Sequence, residues 1–351
     1  MSRYETLTRQ LAAEPHRWLI TGVAGFVGSH LLETLLALDQ QVTGLDNFTS
    51  GSRHNLDEVR SHVTPAQWAR FTLCEGSVAD RETCREACAG MEYVLHQAGF
   101  VSVPLSLEDP LACHETNVTG TVQVLLAARD AQVSRVVYAS SSAVYGDDTL
   151  LPKIESSIGQ PLSPYGASKR MAEMYARIFD QQFNVASVGL RYFNIFGPRQ
   201  NPTGGYAAVI PQWISKLLAN EDCLIHGSGG ITRDFCPVAD VVQANLLAAT
   251  SPHFPGDRVF NVALGGSTTL DQLYALLSEA ATALGLAKPR PVQYGPAREG
   301  DIQHSAADIS AIRKVLEFAP SADLRTALLE TVRWYSAQIP APGHGIKHTM
   351  P

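Results

Sequence analysis

The sequence predicts an α/β fold, with a doubly wound parallel sheet and a smaller C-terminal α/β domain. Short, nearly continuous apolar runs alternate with helical patterns through the first half of the chain, which is typical of parallel strands covered on both faces. A glycine-rich turn follows the first apolar run, and the character changes near residue 191, where loop residues become frequent. We therefore expect a first domain at 1–190 with a returning segment at about 236–263, and a second domain mainly at 191–351.

The composition limits the possible functions. The chain has 351 residues, of which 45% are hydrophobic and 17% charged, enough for one large or two moderate domains with a core. The net charge of −7 without a long basic run argues against nucleic acid as the main partner. No apolar run reaches the roughly 20 residues that span a bilayer. Six scattered cysteines without metal-ligand spacing predict reduced thiols, no metal site and a cytoplasmic protein.

The elements are predicted in order along the chain. The polar start favours a short helix outside the first strand over a signal peptide. Apolar runs predict strands at 17–21, 41–45, 71–75, 93–96, 135–139, 185–190 and 258–262. Helical periodicity predicts helices at 29–39, 118–131, 166–180, 270–284 and 324–335.

Gly22, Gly25 and Gly28 lie between the first strand and the first helix. In that context, glycines permit a tight turn and a close backbone approach to a pyrophosphate, to which the helix N-terminus offers amide donors. Asp46 follows Gly22 by 24 positions at the end of the second strand, near the interval of about 20 expected for a carboxylate that binds the adenosine ribose. Because that carboxylate repels a 2′-phosphate, the pattern predicts a Rossmann-type domain for NAD rather than NADP. An Asp that only opens a turn is the alternative.

A tyrosine and a lysine lie four residues apart near the start of the helix predicted at 166–180. Tyr165 and Lys169 would share one helix face, and an ammonium near a phenol lowers the phenol's pKa from about 10. Tyr165 is therefore a candidate base, the alternative being a half-buried Tyr beside a solvated Lys. The serine cluster 140–142 and the loops 76–78 and 97–102 follow strands, at the sheet edge where ligands bind. A hydride acceptor, a serine and this pair predict oxidation of a secondary alcohol.

Two arginines lie in glycine-rich loops of the second half. Arg233 and Arg298 suit a diphosphate ligand through charge-assisted hydrogen bonds. Surface salt bridges are the alternative interpretation of both.

Taken together, these stretches resemble an extended short-chain dehydrogenase/reductase. The resemblance covers about 18–308 and rests on the stretches 22–28, 46–47, 140–142, 165–169, 191–194, 233–235 and 298–301. Within that group the chain is most similar to the NAD-dependent UDP-hexose 4-epimerases, and among them to the bacterial UDP-N-acetylglucosamine 4-epimerases of surface-polysaccharide pathways.

The resemblance implies epimerisation at C4 of a UDP-hexose through a 4-keto intermediate, with UDP-GlcNAc/UDP-GalNAc favoured and UDP-Glc/UDP-Gal also accepted. It implies that Tyr165 takes the C4 hydroxyl proton, that Lys169 keeps the pKa of Tyr165 low and binds the nicotinamide ribose, and that Ser141 hydrogen-bonds the C4 oxygen. NAD would take and return the C4 hydride, so it would stay tightly bound. Family members also pair through helices matching 118–131 and 165–180, which implies a homodimer with a four-helix contact.

The resemblance also assigns binding positions. The expected cofactor contacts are Gly22, Gly25, Phe26, Val27, Gly28, Asp46, Asn47, Phe48, Ser77, Val78, Gln97, Ala98, Tyr165, Lys169 and Tyr192. The expected substrate contacts are Ser102, Ser141, Ser142, Tyr165, Asn194, Ala208, Val209, Arg233, Arg298, Asp301 and Ser305. Among the latter, Asn194 and the two arginines would hold the pyrophosphate, while Ala208 and Val209 would line the uridine end.

The chain departs from the family pattern at several positions. Ser77 stands where an Asp contacts adenine, Gly99 replaces an Ala near the nicotinamide, Leu105 replaces an Arg, and Pro237 replaces an aromatic residue or His. Ser305 matches the position whose size gates the sugar C2 substituent, and a small residue there implies that an N-acetyl group can enter.

Four other functions are weighed against C4 epimerisation of a UDP-hexose. A 4,6-dehydratase or decarboxylase would carry acidic residues after Ser141, because elimination of water needs an acid and a base; this chain has Ser142 and Ala143. A UDP-uronic acid 4-epimerase stays open. A net oxidoreductase would need a further catalytic cysteine. A non-catalytic NAD-binding regulator is the alternative from a different class, and the intact Ser141, Tyr165 and Lys169 argue against it.

Overall fold

The computed structural model describes residues 1–202, 207–252, 258–286, 290–297 and 303–338. These residues form two compact units. The first consists of Met1–Ile195, Arg233–Ser267 and His304–Ser321, and the second contains the other described residues.

The strands and helices of both units are numbered in chain order. The strands are β1 (Arg17–Thr21), β2 (Gln41–Asp46), β3 (Phe71–Glu75), β4 (Tyr93–His96), β5 (Arg135–Ser141), β6 (Ser187–Tyr192), β7 (Asn194–Phe196), β8 (Leu224–His226), β9 (Thr232–Arg233), β10 (Phe235–Pro237), β11 (Val259–Val262), β12 (Thr268–Thr269) and β13 (Gln293–Gly295). The α-helices are α1 (Arg3–Ala13), α2 (Phe26–Ala37), α3 (Arg53–His62), α4 (Pro65–Trp68), α5 (Arg81–Cys88), α6 (Val103–Glu108), α7 (Pro110–His114), α8 (Gly120–Asp130), α9 (Pro164–Phe183), α10 (Val209–Leu218), α11 (Val238–Thr250), α12 (Leu270–Ala283), α13 (Ser310–Leu316) and α14 (Leu324–Gln338). A π-helical turn (Glu115–Thr119) precedes α8, and a 3₁₀ turn (Ser142–Tyr145) follows β5.

Seven strands form one parallel sheet in the order β11-β6-β5-β4-β1-β2-β3. The predicted doubly wound parallel sheet is therefore confirmed. Its edge strand β11 comes from late in the chain and pairs with β6. The strand order reverses between β1 and β4, and ligands of such sheets bind beyond the carboxyl ends of the strands at this switch point.

The sheet separates two hydrophobic cores. Side chains alternate between the two faces of a strand, so Trp18 and Ile20 of β1 belong to one core, whereas Leu19 belongs to the other. Helices α1, α2 and α11 contribute to the first core, and α5, α8 and α9 to the second. Burial on both faces explains why the strands are nearly continuous apolar runs.

Two helix starts differ from the prediction and bear on the site. Helix α2 begins at Phe26 rather than Ser29, because Gly25 is its N-cap. Helix α9 begins at Pro164 rather than Gly166, because the Ser163 hydroxyl accepts from the Gly166 N–H (3.1 Å) and Pro164 occupies the first helical position. Tyr165 therefore lies in the first turn of α9.

The second unit contains α10, α12 and α14. The same unit contains β8 and β13, which pair in parallel. Helix α12 corresponds to the amphipathic helix predicted at 270–284. It begins with a capping box, in which Thr269 and Gln272 satisfy each other's backbone N–H groups.

Candidate active site

The glycine turn after β1 has a geometry that only glycine fits. Gly22 has φ +70°, and its N–H donates to Leu45 O (2.7 Å). A Cβ at Gly28 would lie 2.0 Å from Gly22 O, so the first turn of α2 lies directly against the turn. A Cβ at Gly22 would lie 2.7 Å from the nitrogen of Ala98, which brings the loop after β4 to the same place.

Asp46, at the end of β2, is buried, with 8% of its surface exposed. Its Oδ2 accepts from the Ala24 N–H and its Oδ1 from the Phe48 N–H, both at 2.8 Å. The next side chain behaves similarly, since Asn47 Oδ1 accepts from the Thr49 N–H (3.1 Å). Asp46 therefore does open a turn, as the alternative interpretation held. A carboxylate offers about four lone-pair positions, so contact with ribose hydroxyls stays compatible with these bonds.

Three other expected cofactor contacts, Ser77, Val78 and Phe48, have structural partners of their own. Ser77 Oγ accepts from the Ala79 N–H (3.2 Å), and Val78 is part of the core beside α8. The ring of Phe48 lies 4.1 Å from the Arg53 guanidinium, which also donates to Glu75 (2.6 Å).

Gln97 and Tyr192, both expected to contact the cofactor, are bonded to each other and to Asn245 of α11. The Tyr192 hydroxyl donates to Gln97 Oε1 (3.0 Å) and accepts from Asn245 Nδ2 (2.8 Å), while Gln97 Nε2 donates to Asn245 Oδ1 (3.0 Å). The three side chains thus form a closed ring that joins the ends of β4 and β6. Sequence analysis missed Asn245, which lies 148 residues from Gln97.

A buried hydrogen-bonded chain fixes the loop that begins at Ala98. The Ala98 N–H donates to Thr21 Oγ1 (3.1 Å), and Thr21 Oγ1 lies 2.7 Å from His96 Nδ1. His96 Nε2 lies 3.2 Å from Thr121 Oγ1, which donates to Asn117 O (2.6 Å). Because Thr121 uses its proton on Asn117, His96 must donate from Nε2 and accept at Nδ1. Burial lowers the pKa of His96 to about 3, in keeping with this neutral form.

Asn117, in the π-helical turn, is a second residue that sequence analysis missed. Its Oδ1 accepts from the Phe100 N–H (2.7 Å), and its Nδ2 donates to Phe100 O (3.0 Å) and to Ser168 Oγ (2.9 Å). It therefore joins the loop after β4 to α9. A Cβ at Gly99 would lie 3.1 Å from Asn117 Oδ1 and 3.2 Å from Lys169 Nζ, so the glycine at this departure lets all three groups lie close together.

Tyr165, Lys169 and Ser141 come together at the end of β5. The Ser141 hydroxyl lies close enough to the Tyr165 phenol to affect its pKa, and Ser141 Oγ accepts from the Ala143 N–H (3.1 Å). Lys169 Nζ lies 5.9 Å from the centre of the Tyr165 ring and donates to Ala139 O (3.0 Å). The next residue, Ser142, is half-buried in the 3₁₀ turn.

Burial dominates the pKa values of this pair. It lowers the pKa of Lys169 to about 8, because the buried ammonium has lost its water. Burial also raises the pKa of Tyr165, and the hydrogen bond from Ser141 opposes that rise. The expectation that Lys169 keeps the pKa of Tyr165 low is thus not met by the chain by itself, because its Nζ donates to Ala139 rather than to the phenol.

Three substrate candidates lie around Asp234, namely Asn194, Arg233 and Ser305. Asn194 donates from its backbone N–H (3.2 Å) and from Nδ2 (3.3 Å) to Asp234 O. The Asp234 carboxylate accepts from the backbone N–H groups of Leu264 (3.1 Å) and Ala307 (3.3 Å), and burial raises its pKa to about 6. It thereby fixes the segment that carries the half-buried Ser305. Arg233, the last residue of β9, is also half-buried.

The remaining substrate candidates are separate from this cluster. Ser102 is the N-cap of α6, where its hydroxyl accepts from the Leu105 N–H (3.2 Å). Ala208 is the N-cap of α10 and Val209 its first residue, in the second unit. Arg298 and Asp301 lie outside the described residues. At the departure after the Arg233 stretch, Pro237 is the N-cap of α11.

Three further features concern metal binding, membrane insertion and the cysteines. Among the described residues, no group of three or more His, Cys, Asp or Glu side chains is arranged to hold a metal ion. In the part of the chain that the structure covers, no helix is both long and apolar enough to cross a membrane. All six cysteines are free.

Comparison with known proteins identifies the family. Residues 18–263 match the NAD dependent epimerase/dehydratase family. The chain belongs to this family. Its cofactor is therefore NAD, as the glycine turn and Asp46 predicted.

Individual relatives narrow the comparison. A UDP-glucose 4-epimerase of Mycolicibacterium smegmatis is 34% identical over 321 residues, covering 91% of this chain and 98% of the relative. A dTDP-glucose 4,6-dehydratase of Streptomyces griseus is 33% identical over 322 residues, covering 90% of this chain and 93% of the relative. The solved structure of the UDP-N-acetylglucosamine 4-epimerase from Methanobrevibacter ruminantium M1, in complex with UDP-N-acetylmuramic acid, has a TM-score of 0.85 at 35% identity, covering 93% of this chain and 99% of that one.

The glycine turn fits the dinucleotide that the family uses. Helix α2 has no side-chain hydrogen bond at its N-cap, Gly25, so its first N–H groups are left for a ligand. A Cβ at Gly25 would meet only Gly22 O, at 3.1 Å, so its other sides are open. Phe26, Val27 and Gly28, which are expected cofactor contacts, are the first three residues of this helix.

Proposed function

We propose that this protein catalyses the NAD-dependent epimerisation of a UDP-hexose at C4, most directly between UDP-GlcNAc and UDP-GalNAc. The observation that carries the proposal is the group formed by Ser141, Tyr165 and Lys169 at the carboxyl end of β5. It stands beside the strand ends where the family's NAD binds, and the similar Mycolicibacterium and Methanobrevibacter proteins are 4-epimerases.

Each residue of the group has a part in moving one proton. Tyr165, as a phenolate, accepts the proton of the C4 hydroxyl and later returns it. Ser141 donates a hydrogen bond that stabilises the phenolate, and then the C4 oxygen. Lys169 is mostly an ammonium below pH 8, so it contributes a positive charge on the same helix face. When bound, NAD supplies the hydride acceptor and donor and a positively charged ring.

The UDP part of the substrate needs cationic and amide donors. Arg233, Asn194 and Arg298 are proposed to hold the pyrophosphate, and Ala208 and Val209 to line the uridine. Asp301, Ser102 and Ser142 complete the proposed substrate contacts. Residue 305 is proposed to adjoin the sugar C2 substituent, where the small Ser305 leaves room for an N-acetyl group.

Other members of the family carry out different reactions. The 33% identical Streptomyces relative is a 4,6-dehydratase, but dehydration needs an acid and a base beside the 4-keto sugar. The two residues after Ser141 are Ser142 and Ala143, so simple epimerisation is favoured. A UDP-uronic acid 4-epimerase is the second candidate, and a panel of UDP-sugars distinguishes it. A non-catalytic NAD-binding protein would leave the Ser141–Tyr165 contact without use.

The proposal is tested with purified protein and no added NAD. UDP-GlcNAc, UDP-Glc and UDP-glucuronic acid are supplied separately, and products are separated by chromatography. We expect UDP-GalNAc from the first, because the NAD stays bound and is regenerated in each turnover. No epimer from any of the three, with NAD shown to be bound, would favour the non-catalytic alternative, and a 4-keto-6-deoxy product would favour the dehydratase.

Ser305→Tyr is expected to separate acetylated from non-acetylated sugars. The larger side chain would overfill the space for the N-acetyl group, which costs about 1–3 kcal/mol, or roughly 10–100-fold in kcat/KM. We therefore expect turnover of UDP-GlcNAc to fall by that factor while turnover of UDP-Glc is retained. Ser310→Tyr, at an exposed position, is the control. Equal losses on both sugars would remove the steric account of Ser305.

We also propose a homodimer formed through α8 and α9. Met171, Met174, Tyr175 and Ile178 are 42%, 53%, 40% and 45% exposed. They follow the i, i+3, i+4, i+7 spacing of a single apolar helix face, and contiguous apolar surface of this kind marks an interface. A four-helix contact would cover it.

The dimer is tested by analytical ultracentrifugation. The wild-type chain is expected to sediment at twice the mass of one chain. Met174→Glu/Ile178→Glu is expected to sediment as a monomer, because two carboxylates at the centre of the contact would lose their water. Leu150→Glu, at an exposed residue away from α9, should leave the dimer intact. A double variant that remains dimeric would place the interface elsewhere.

The six free cysteines support a cytoplasmic location as part of the same proposal, because disulfides are rare in reducing compartments.

A further inference from the structure

Helix α9 contacts the end of β5 through three side chains spaced four residues apart. Tyr165 lies near Ser141, Lys169 donates to the carbonyl of Ala139, and Glu173 accepts from the hydroxyl of Ser140 at 2.7 Å. Residues at i, i+4 and i+8 lie on one helix face. Three consecutive strand residues are thus matched to one face of α9.

Glu173 is buried and makes the most side-chain hydrogen bonds of the three residues on this face. The residue is 4% exposed. Oε1 accepts from Ser140 and from Arg191 Nε (2.8 Å), and Oε2 accepts from Arg191 Nη2 (2.9 Å) and from Arg170 Nη1 (3.0 Å). With four hydrogen bonds from three residues, the carboxylate has little freedom to move, which fixes α9 against β5 and β6.

The same network reaches the 3₁₀ turn that follows Ser141. Arg191 Nη1 donates to the Tyr145 hydroxyl (3.1 Å) and to Glu155 O (3.0 Å), and the Tyr145 hydroxyl donates to Asn261 Oδ1 (2.6 Å). Ser141 therefore lies between two fixed points, Ser140 on one side and Tyr145 on the other. Both points are bonded to the Glu173–Arg191 pair.

A purely stabilising role explains this arrangement poorly. A buried ion pair loses the hydration of both charges, and well-packed apolar residues often replace it without loss of stability. An apolar pair, however, would leave the Ser140 hydroxyl without its acceptor. Helix α9 would then lose the hydrogen bond that fixes its position along β5. The hydrogen bonds of the Glu173–Arg191 pair fix the distance and orientation of α9 relative to the strand end where Ser141 lies near Tyr165.

We propose that Glu173 is a positioning residue, which sets the contact between Ser141 and Tyr165 by bonding Ser140 and Arg191. The proposal rests on the proposed epimerase function, because it assigns Glu173 to the geometry of that proton-transfer pair. Glu173 touches no reacting atom, and it acts through the strand end and the helix register. Misplacement of a reacting group by about 1 Å can cost about 100-fold in rate.

Two variants test the proposal at different strengths. Ser140→Ala removes only the bond between Glu173 and β5, and it leaves both bonds to Arg191 in place, so the fold is expected to persist. Glu173→Gln keeps the size of the side chain but removes its charge. Arg170→Ala is the matched control, because it deletes a bond to the same carboxylate from a side chain that is 40% exposed.

The first measurement is steady-state kinetics with UDP-GlcNAc. We expect kcat to fall about tenfold in Ser140→Ala and about 100-fold in Glu173→Gln, with KM within about twofold of wild type, because binding is retained and only the reacting geometry changes. Arg170→Ala should keep both parameters.

The second measurement does not depend on turnover. In protein labelled with ¹³C at tyrosine Cζ, the Tyr165 signal is assigned by its loss in Tyr165→Phe. Its chemical shift should change in Ser140→Ala and Glu173→Gln, because the bond from Ser141 is displaced, and it should not change in Arg170→Ala. An unchanged Tyr165 signal in Ser140→Ala would overturn the proposal, as would equal effects in all three variants. If the wild-type protein turned over no UDP-sugar, the proposed function would fail, and the tyrosine signal would still decide the role of Glu173.

Discussion

Replacing Tyr165 with phenylalanine is expected to lower kcat for epimerisation by about 10³-fold, within the range for loss of a general acid–base group. The phenol is the group placed to take the C4 proton, because the Ser141 hydroxyl lies near it and Lys169 lies on the same helix face. The ring itself should keep its packing in the first turn of α9. The measurement is steady-state turnover of UDP-GlcNAc, with bound NAD determined after denaturation.

Bound NAD should be equal in wild type and Tyr165→Phe, since the glycine turn is untouched. Tyr294→Phe is the matched control, because it removes a hydroxyl that donates to Asp271 (2.8 Å) from an exposed ring. Near-normal turnover in Tyr165→Phe would show that another group moves the proton.

Replacing Gly28 with alanine is expected to abolish retention of NAD. The added Cβ would lie 2.0 Å from Gly22 O and 2.8 Å from Gly22 C, and neither backbone atom can move without opening the turn. Overpacking of this kind costs about 3 kcal/mol, which corresponds to a loss of roughly 100-fold in affinity. Bound NAD per chain is measured after gel filtration, and the melting temperature of the apo protein is followed alongside.

Gly266→Ala is the control for this prediction. A Cβ at that position would meet no heavy atom within 4 Å, and no positive φ is recorded there. We expect it to retain NAD and to melt as wild type does. If Gly28→Ala retained NAD equally well, the first turn of α2 would not be the pyrophosphate site.

Local pattern accounts for much of what the sequence predicted. The parallel sheet was predicted from apolar strands separated by helices. The glycine turn was predicted from glycines at positions where the backbone geometry requires them. The predicted start of α2 was wrong by three residues, because its N-cap is Gly25. A glycine has no side chain that could cap the helix, so the sequence gives no capping signal there. The start of α9 was readable in principle, since Ser163 and Pro164 are a cap and a first helical residue.

Side chains that meet only in the folded chain could not be predicted in this way. Glu173 meets Ser140 from 33 residues away, and Asn117 meets Ser168 from 51 residues away. The direction in which the Tyr165 pKa shifts could not be predicted from the sequence either. The spacing places a lysine nearby, but it does not reveal that the tyrosine is buried. Burial raises that pKa, while Lys169 donates to a strand carbonyl.

The same limit applies to Gln97 and Tyr192. Their positions at strand ends made them cofactor candidates, but their polar groups bond each other through Asn245. Contact of these side chains with NAD therefore stays a prediction, and their shown role is to join the ends of β4 and β6.

In the proposed mechanism, Tyr165, Ser141 and bound NAD oxidise and re-reduce the same carbon within one turnover. The most direct measurement supplies UDP-GlcNAc carrying deuterium at C4, in ordinary water, to the protein without added NAD. We expect UDP-GalNAc that retains deuterium at C4, because the hydrogen leaves and returns on the cofactor while only the hydroxyl proton exchanges. Product carrying protium at C4, or a sugar that has lost water, would contradict it.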